Sequence, residues 1–143
     1  MYKGLLHFHS YWAYLALAAL VIATVYSIYS LVNKKPFTKQ SKTITMLGLM
    51  FTHIQMVLGF ILYFVSPFGV KNFSGDAMKD SSARLLMLEH PLMMIIGITL
   101  ITIGYSQAKR AKEDHTKFRK ISIFYTLGII LIFARIPWTN WLG

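Results

Sequence analysis

Polar and apolar positions along this chain fall into long blocks rather than into a short alternation. Between Lys3 and Lys34 there is no Asp, Glu, Lys or Arg, and between Lys42 and Lys71 there is none again. Each gap exceeds the roughly 20 apolar residues that carry an α-helix across a bilayer. A third block runs from about 85 to 106 with Glu89 near its start, and a fourth from about 121 to 138 with Arg135 near its end. The pattern predicts spans over about 10–32, 44–66, 85–106 and 121–138 in a single transmembrane domain covering residues 1–143. With short connections between them, the expected fold is all-α, an integral membrane four-helix bundle in up-down-up-down order.

Inside a bilayer, helix interfaces are marked by small residues, because lipid is as apolar as leucine. His9, Ala16, Ala23 and Ser30 recur every seven residues in the first span, and His90, Gly97 and Gly104 do so in the third. Gly48, Thr52, Gln55 and Gly59 form a stripe on the second, and Gly128 lies seven residues before Arg135 on the fourth. These stripes are expected to face the bundle interior, which turns His9, His90 and Arg135 inward. His53 is expected on a neighbouring face among Met46, Met50, Met56, Val57 and Phe60, a soft apolar lining.

Composition agrees with this placement. The chain is 55% hydrophobic and only 14% charged, with a mean hydropathy of +0.51, which excludes disorder and an ordinary soluble domain. No segment recurs at a fixed period, so a repeat array is excluded as well. The net charge of +10 would suggest nucleic acid in a soluble protein, but the bases lie between the apolar blocks. Linker 34–42 carries Lys34, Lys35, Lys39 and Lys42, and linker 107–120 carries six bases against Glu113 and Asp114. By the positive-inside rule both linkers are expected in the cytoplasm, with the 67–84 connection and both termini outside. The charge thus reads as topology toward anionic lipid, and no nucleic-acid partner is expected. The length of the first apolar block, and the positive cluster after it, fit a span better than a cleaved leader.

The absence of cysteine excludes a disulfide, a thiolate zinc site, an iron–sulfur cluster and covalent c-type haem attachment. Any metal or haem falls to His, Met or Tyr. Ionisable groups at membrane depth are costly and call for a reason. On straight-helix geometry, His90, Glu89 and Arg135 sit about 8, 9 and 10 Å outward of the membrane centre, His9 about 15 Å outward and His53 about 3 Å inward. Glu89 and Arg135, opposite in sign and matched in depth, are expected to form a structural ion pair. Pro91 is expected to disrupt the helix near Met87 and release a backbone carbonyl. Imidazoles on different helices of a four-helix bundle are the chemistry that holds haem b, so His53 and His90 are the first candidate ligand pair, with His9 and His90 the next. Arg135 is then a candidate partner for a haem propionate. His7 is expected at the interface and His115 in a solvated loop.

The segments Leu5–Ser10, Thr52–Gln55 running into Leu62–Pro67, Glu89–Met94 and Ile136–Trp138 resemble a family of small four-helix bacterial membrane proteins labelled cytochrome B-like. The resemblance runs over nearly the whole chain. It implies a haem-binding or respiratory electron-transfer role in the bacterial inner membrane, with His9, His53, Glu89, His90 and Arg135 at the family's recurring polar positions. Quinone, other membrane subunits and a second copy of the chain are the partners such a role implies. Two other functions compete: a haem-free accessory subunit that stabilises a larger membrane complex, and a copper-handling protein using Met46, Met50, Met56, Met87, Met93 and Met94 beside the histidines. No hydrolase, metalloprotease or nucleotide-binding motif is present, so no catalytic side chain is assigned.

Overall fold

From Tyr2 to Val32 the chain has no proline and a single glycine, and in the computed structural model, which describes residues 1–141, this stretch is one 31-residue helix, α1. Residues 142 and 143, which the expected single domain also takes in, lie outside the described residues. The helix stops where Lys34 turns to a left-handed φ of 51°. There the Lys35 N–H reaches the Ser30 carbonyl at 2.9 Å and the Lys34 N–H reaches that of Leu31, a Schellman closure made with lysine instead of glycine. Thr38 and Ser41 then cap each other's backbone N–H groups and start α2, Lys39–Val65.

The connection after α2 holds a 3₁₀ turn, Val70–Asn72, and two short helices, α3 (Gly75–Lys79) and α4 (Ser81–Arg84). Next comes a π-helical turn, Leu85–Glu89, that runs straight into α5, His90–Arg110. The last long helix, α6, covers Asp114–Ala134 and is followed by a 3₁₀ turn at Trp138–Asn140. No strand occurs among the described residues. Three stretches, Tyr2–Val32, Lys39–Val65 and Ser81–Arg110, are long and apolar enough to cross a membrane. In α6 the first turns carry Lys117, Arg119 and Lys120, and the helix ends one residue before Arg135. The helix here thus covers 114–134, where a span over 121–138 is expected. Arg135 caps a helix end and is exposed, rather than being embedded in a helix.

Consecutive long helices pack side by side. Helix α1 packs on α2 and α6, and α5 packs on α2 and α6. Tyr26 bonds Ser41 at one end of the α1–α2 seam and His9 meets Gln55 at the other, so the two run antiparallel. On the α5–α6 seam, Gly97 faces Gly128 and Gly104 faces Phe124. The interior inverts the soluble pattern. Ser10, Thr24, Ser27, Ser30, Ser41, Thr45, Thr52 and Ser122 are buried beside Leu20, Ile101, Ile121 and Tyr125. Val25, Leu15, Val57 and Ile130 meanwhile stand exposed on the outer faces. Four of these hydroxyls are satisfied within their own helix: Thr24 on the Leu20 carbonyl and Ser27 on that of Ala23, both at 2.7 Å, Thr45 on that of Ser41 and Thr52 on that of Gly48. Tyr125 crosses the interior to donate to the Thr45 carbonyl at 2.8 Å.

Candidate functional site

The site is built at the end of the molecule where Pro91 interrupts a helix. A proline nitrogen has no hydrogen, so the carbonyl four residues earlier loses its helical donor. That carbonyl belongs to Met87, within the π-helical turn, and the Tyr63 hydroxyl on α2 donates to it at 2.9 Å. The wider turn and its borrowed hydrogen bond carry the helical run past Pro91 into α5.

Around this break lies a cavity of about 660 Å³, within the range of about 300–1,000 Å³ typical of ligand sites. It is lined by apolar Leu17, Met56, Met94, Ile98 and Ile132 from the long helices and, at the connections, by Asn72, Asp80, Ser82 and Asn140 together with Phe68 and Pro137. His9, Gln55 and His90 line it as well. The end of the chain lies over one side, where the Trp141 indole donates to the Ser10 carbonyl and stacks on Tyr14 at 4.8 Å.

The structure brings His9 and His90 together, with ring centroids 6.4 Å apart and planes at 90°. His90 Nδ1 lies 2.8 Å from the Arg135 carbonyl. A carbonyl only accepts, so Nδ1 carries the proton and Nε2 keeps its lone pair. His9 is held differently. The Gln55 side-chain nitrogen lies 3.0 Å from the His9 carbonyl and 3.3 Å from His9 Nε2. An amide group that close to a carbonyl must be the NH₂ end, so it donates to both, and His9 is protonated at Nδ1. His9 Nδ1 and Gln55 Oε1 are buried without a hydrogen-bond partner. Gly59, one turn beyond Gln55, leaves the ring its space, since a Cβ there would stand 3.2 Å from His9 Cε1.

His53 does not join this group. Its Nδ1 bonds the Leu49 carbonyl at 2.8 Å and its Nε2 lies 3.3 Å from the Thr102 hydroxyl. Thr102 is twelve residues past His90 on α5, about 18 Å along the helix axis. The structure therefore does not bring the expected pair His53 and His90 together; the histidines that it brings together are His9 and His90. The bulky lining expected for His53 is also corrected, because Met50 and Val57 are 44% and 55% exposed and face outward.

Glu89 meets Arg135 at 3.2 Å, and its other oxygen meets Arg84 Nε at 2.7 Å. By number Arg84 falls in the 67–84 connection expected outside the spans. The signal that could have found it is its position five residues before Glu89 in what turns out to be one continuous helical run. Arg135 does not line the cavity with its guanidinium; it serves through the backbone carbonyl that holds His90. Its expected role toward a propionate is corrected to that contact. His7 and His115 are exposed. No cluster of three or more metal-binding His, Asp or Glu side chains occurs among the described residues. No family model matches the chain, and neither a curated protein nor a solved structure matches it.

Proposed function

We propose that this chain is a multi-pass membrane protein of the cytochrome B-like kind, an electron-transfer protein or respiratory-complex subunit that holds haem b in the cavity between His9 and His90. In this reading the four long helices form an up-down-up-down bundle in the bacterial inner membrane. The basic linkers 34–42 and 107–120 face the cytoplasm and the cavity opens outward. Three helices of sufficient length and apolarity, with large side chains exposed on their outer faces and hydroxyls inside, support the membrane assignment.

The observation that carries the haem reading is the pair spacing. Two imidazoles that would hold one group between them must stand close together on different helices. His9 and His90 stand at 6.4 Å. The contact of His90 Nδ1 with a backbone carbonyl fixes the tautomer that leaves Nε2 free, the usual outer support of a metal-binding histidine. Leu17, Met56, Met94 and Ile98 would exclude water from the faces of the macrocycle, and His9 and His90 would hold it across α1 and α5. Haem b bound there supplies one-electron redox chemistry, and the chain's part is to bind, orient and insulate it.

A reduced-minus-oxidised visible spectrum of the purified protein from haem-replete cells tests this. The expected result is a sharp b-type α band that is lost in His9→Ala and His90→Ala and kept in His53→Ala. A colourless wild-type protein overturns the haem assignment and leaves a haem-free accessory subunit, for which the Arg84–Glu89–Arg135 clamp, complete within the chain, is the supporting observation.

A further inference from the structure

The two histidines of the cavity are not prepared alike. His90 has a free Nε2, whereas His9 has its Nε2 engaged by the Gln55 amide and its Nδ1 protonated and without a partner. Imidazole coordinates a metal through a nitrogen lone pair, and His9 has only one lone pair in this tautomer. That lone pair points at an N–H of Gln55. The same amide also donates to the His9 backbone carbonyl, so backbone and ring of one residue are held by one side chain from the facing helix. Gly59 completes the slot on the same face of α2. The 3.3 Å contact to the ring is longer than the 3.0 Å contact to the carbonyl, so the ring side of the amide is the weaker half.

We infer that Gln55 is the positioning residue of His9, an internal stand-in that fixes the ring's tautomer and occupies its Nε2 until a metal centre takes that nitrogen. The inference rests on the reading of His9 and His90 as a ligand pair, but its first consequence belongs to the protein without haem. There, Gln55 alone decides which His9 nitrogen carries the proton. A second consequence concerns the loaded protein: His90 would offer its Nε2 without rearrangement, whereas His9 would offer its Nε2 only where the Gln55 amide gives up its contact.

The test is nitrogen NMR of ¹⁵N-histidine-labelled, haem-free protein in nanodiscs, with His9 assigned by its loss in His9→Ala. Wild type is expected to show His9 protonated at Nδ1 with a hydrogen-bonded Nε2. In Gln55→Leu the Nε2 signal moves to that of an unbonded nitrogen. In Gln55→Glu the proton moves to Nε2, because a carboxylate only accepts. Retention of the wild-type His9 signals in both variants overturns the inference, and the Glu variant keeps a polar side chain in place should the Leu variant fail to fold. Haemin titration provides the second readout. Gln55→Leu is expected to reach the two-histidine, low-spin spectrum at roughly tenfold lower haemin, the equilibrium worth of one ordinary hydrogen bond. Equal titration curves for Leu variant and wild type overturn the stand-in role. If no variant binds haemin while the His9 signals shift as described, the haem reading falls and the positioning of His9 by Gln55 stands.

Discussion

At the scale of single residues, the molecule repairs one backbone defect with one side chain. Pro91 deprives the Met87 carbonyl of its donor and Tyr63 replaces it at 2.9 Å. An unpaired buried carbonyl costs about 1–3 kcal/mol, so Tyr63→Phe is expected to lower stability by that amount in a thermal melt. In a Pro91→Ala background the missing N–H is restored, and the same Tyr63→Phe change is expected to cost less than half as much. A double-mutant cycle reads the difference directly. The Arg84–Glu89–Arg135 clamp is a milder case. Its side chains are 36%, 29% and 44% exposed, and partly exposed pairs contribute about 0.2–1 kcal/mol each. Glu89→Gln is therefore expected to cost about 1 kcal/mol, and the loss to shrink in high salt.

At the scale of helices, the closest approach is on the α5–α6 seam. A Cβ on Gly128 would stand 2.6 Å from Ile101 Cγ1 and 2.9 Å from the Gly97 carbonyl, and one on Gly104 would collide with Phe124. Both glycines are helical, where the residue itself is unfavourable by about 1 kcal/mol relative to alanine. Their presence is explained by helix contact, which is worth more than the propensity it forfeits. Gly128→Ala is expected to separate α5 from α6 and destabilise by about 1–3 kcal/mol, measured as a lower melting temperature in detergent. Gly4→Ala, with nothing within 4 Å, is expected to be neutral or slightly stabilising.

At the scale of the whole molecule, the two ends differ in charge, and the proposed orientation rests on that difference. The turns at Lys34–Lys35 and Lys109–Lys112 are basic, while the other end holds the cavity and the mixed-charge connection with Asp76 and Asp80. Because the chain contains no cysteine, single cysteines report topology without background. In intact cells Asp76→Cys is expected to react with an impermeant maleimide, whereas Lys112→Cys reacts only after the membrane is opened. The reverse labelling pattern overturns the orientation.

The amino-acid sequence by itself determined the long apolar helices, because uncharged runs of more than about 20 residues without internal proline read as helices of membrane-spanning length. It also determined which faces pack: Ala16, Ala23 and Ser30 on α1, Gly48 and Thr52 on α2, and Gly97 and Gly104 on α5 are all buried, as small side chains recurring at four- or seven-residue intervals along one helix face require. The carbonyl released by Pro91 was legible for the same reason, being a fixed four-residue offset. Only the tertiary structure decided which histidines meet. Depth estimated from straight spans put His9 well outside His90, yet α1 begins at Tyr2 and its register against α2 and α5 brings the two rings to 6.4 Å. It likewise decided that His53 turns to Thr102, that Arg84 joins Glu89, and that Gln55 holds His9. Spacing along one helix fixes a face, but the register between helices is set by packing across four of them at once, and no local pattern contains it.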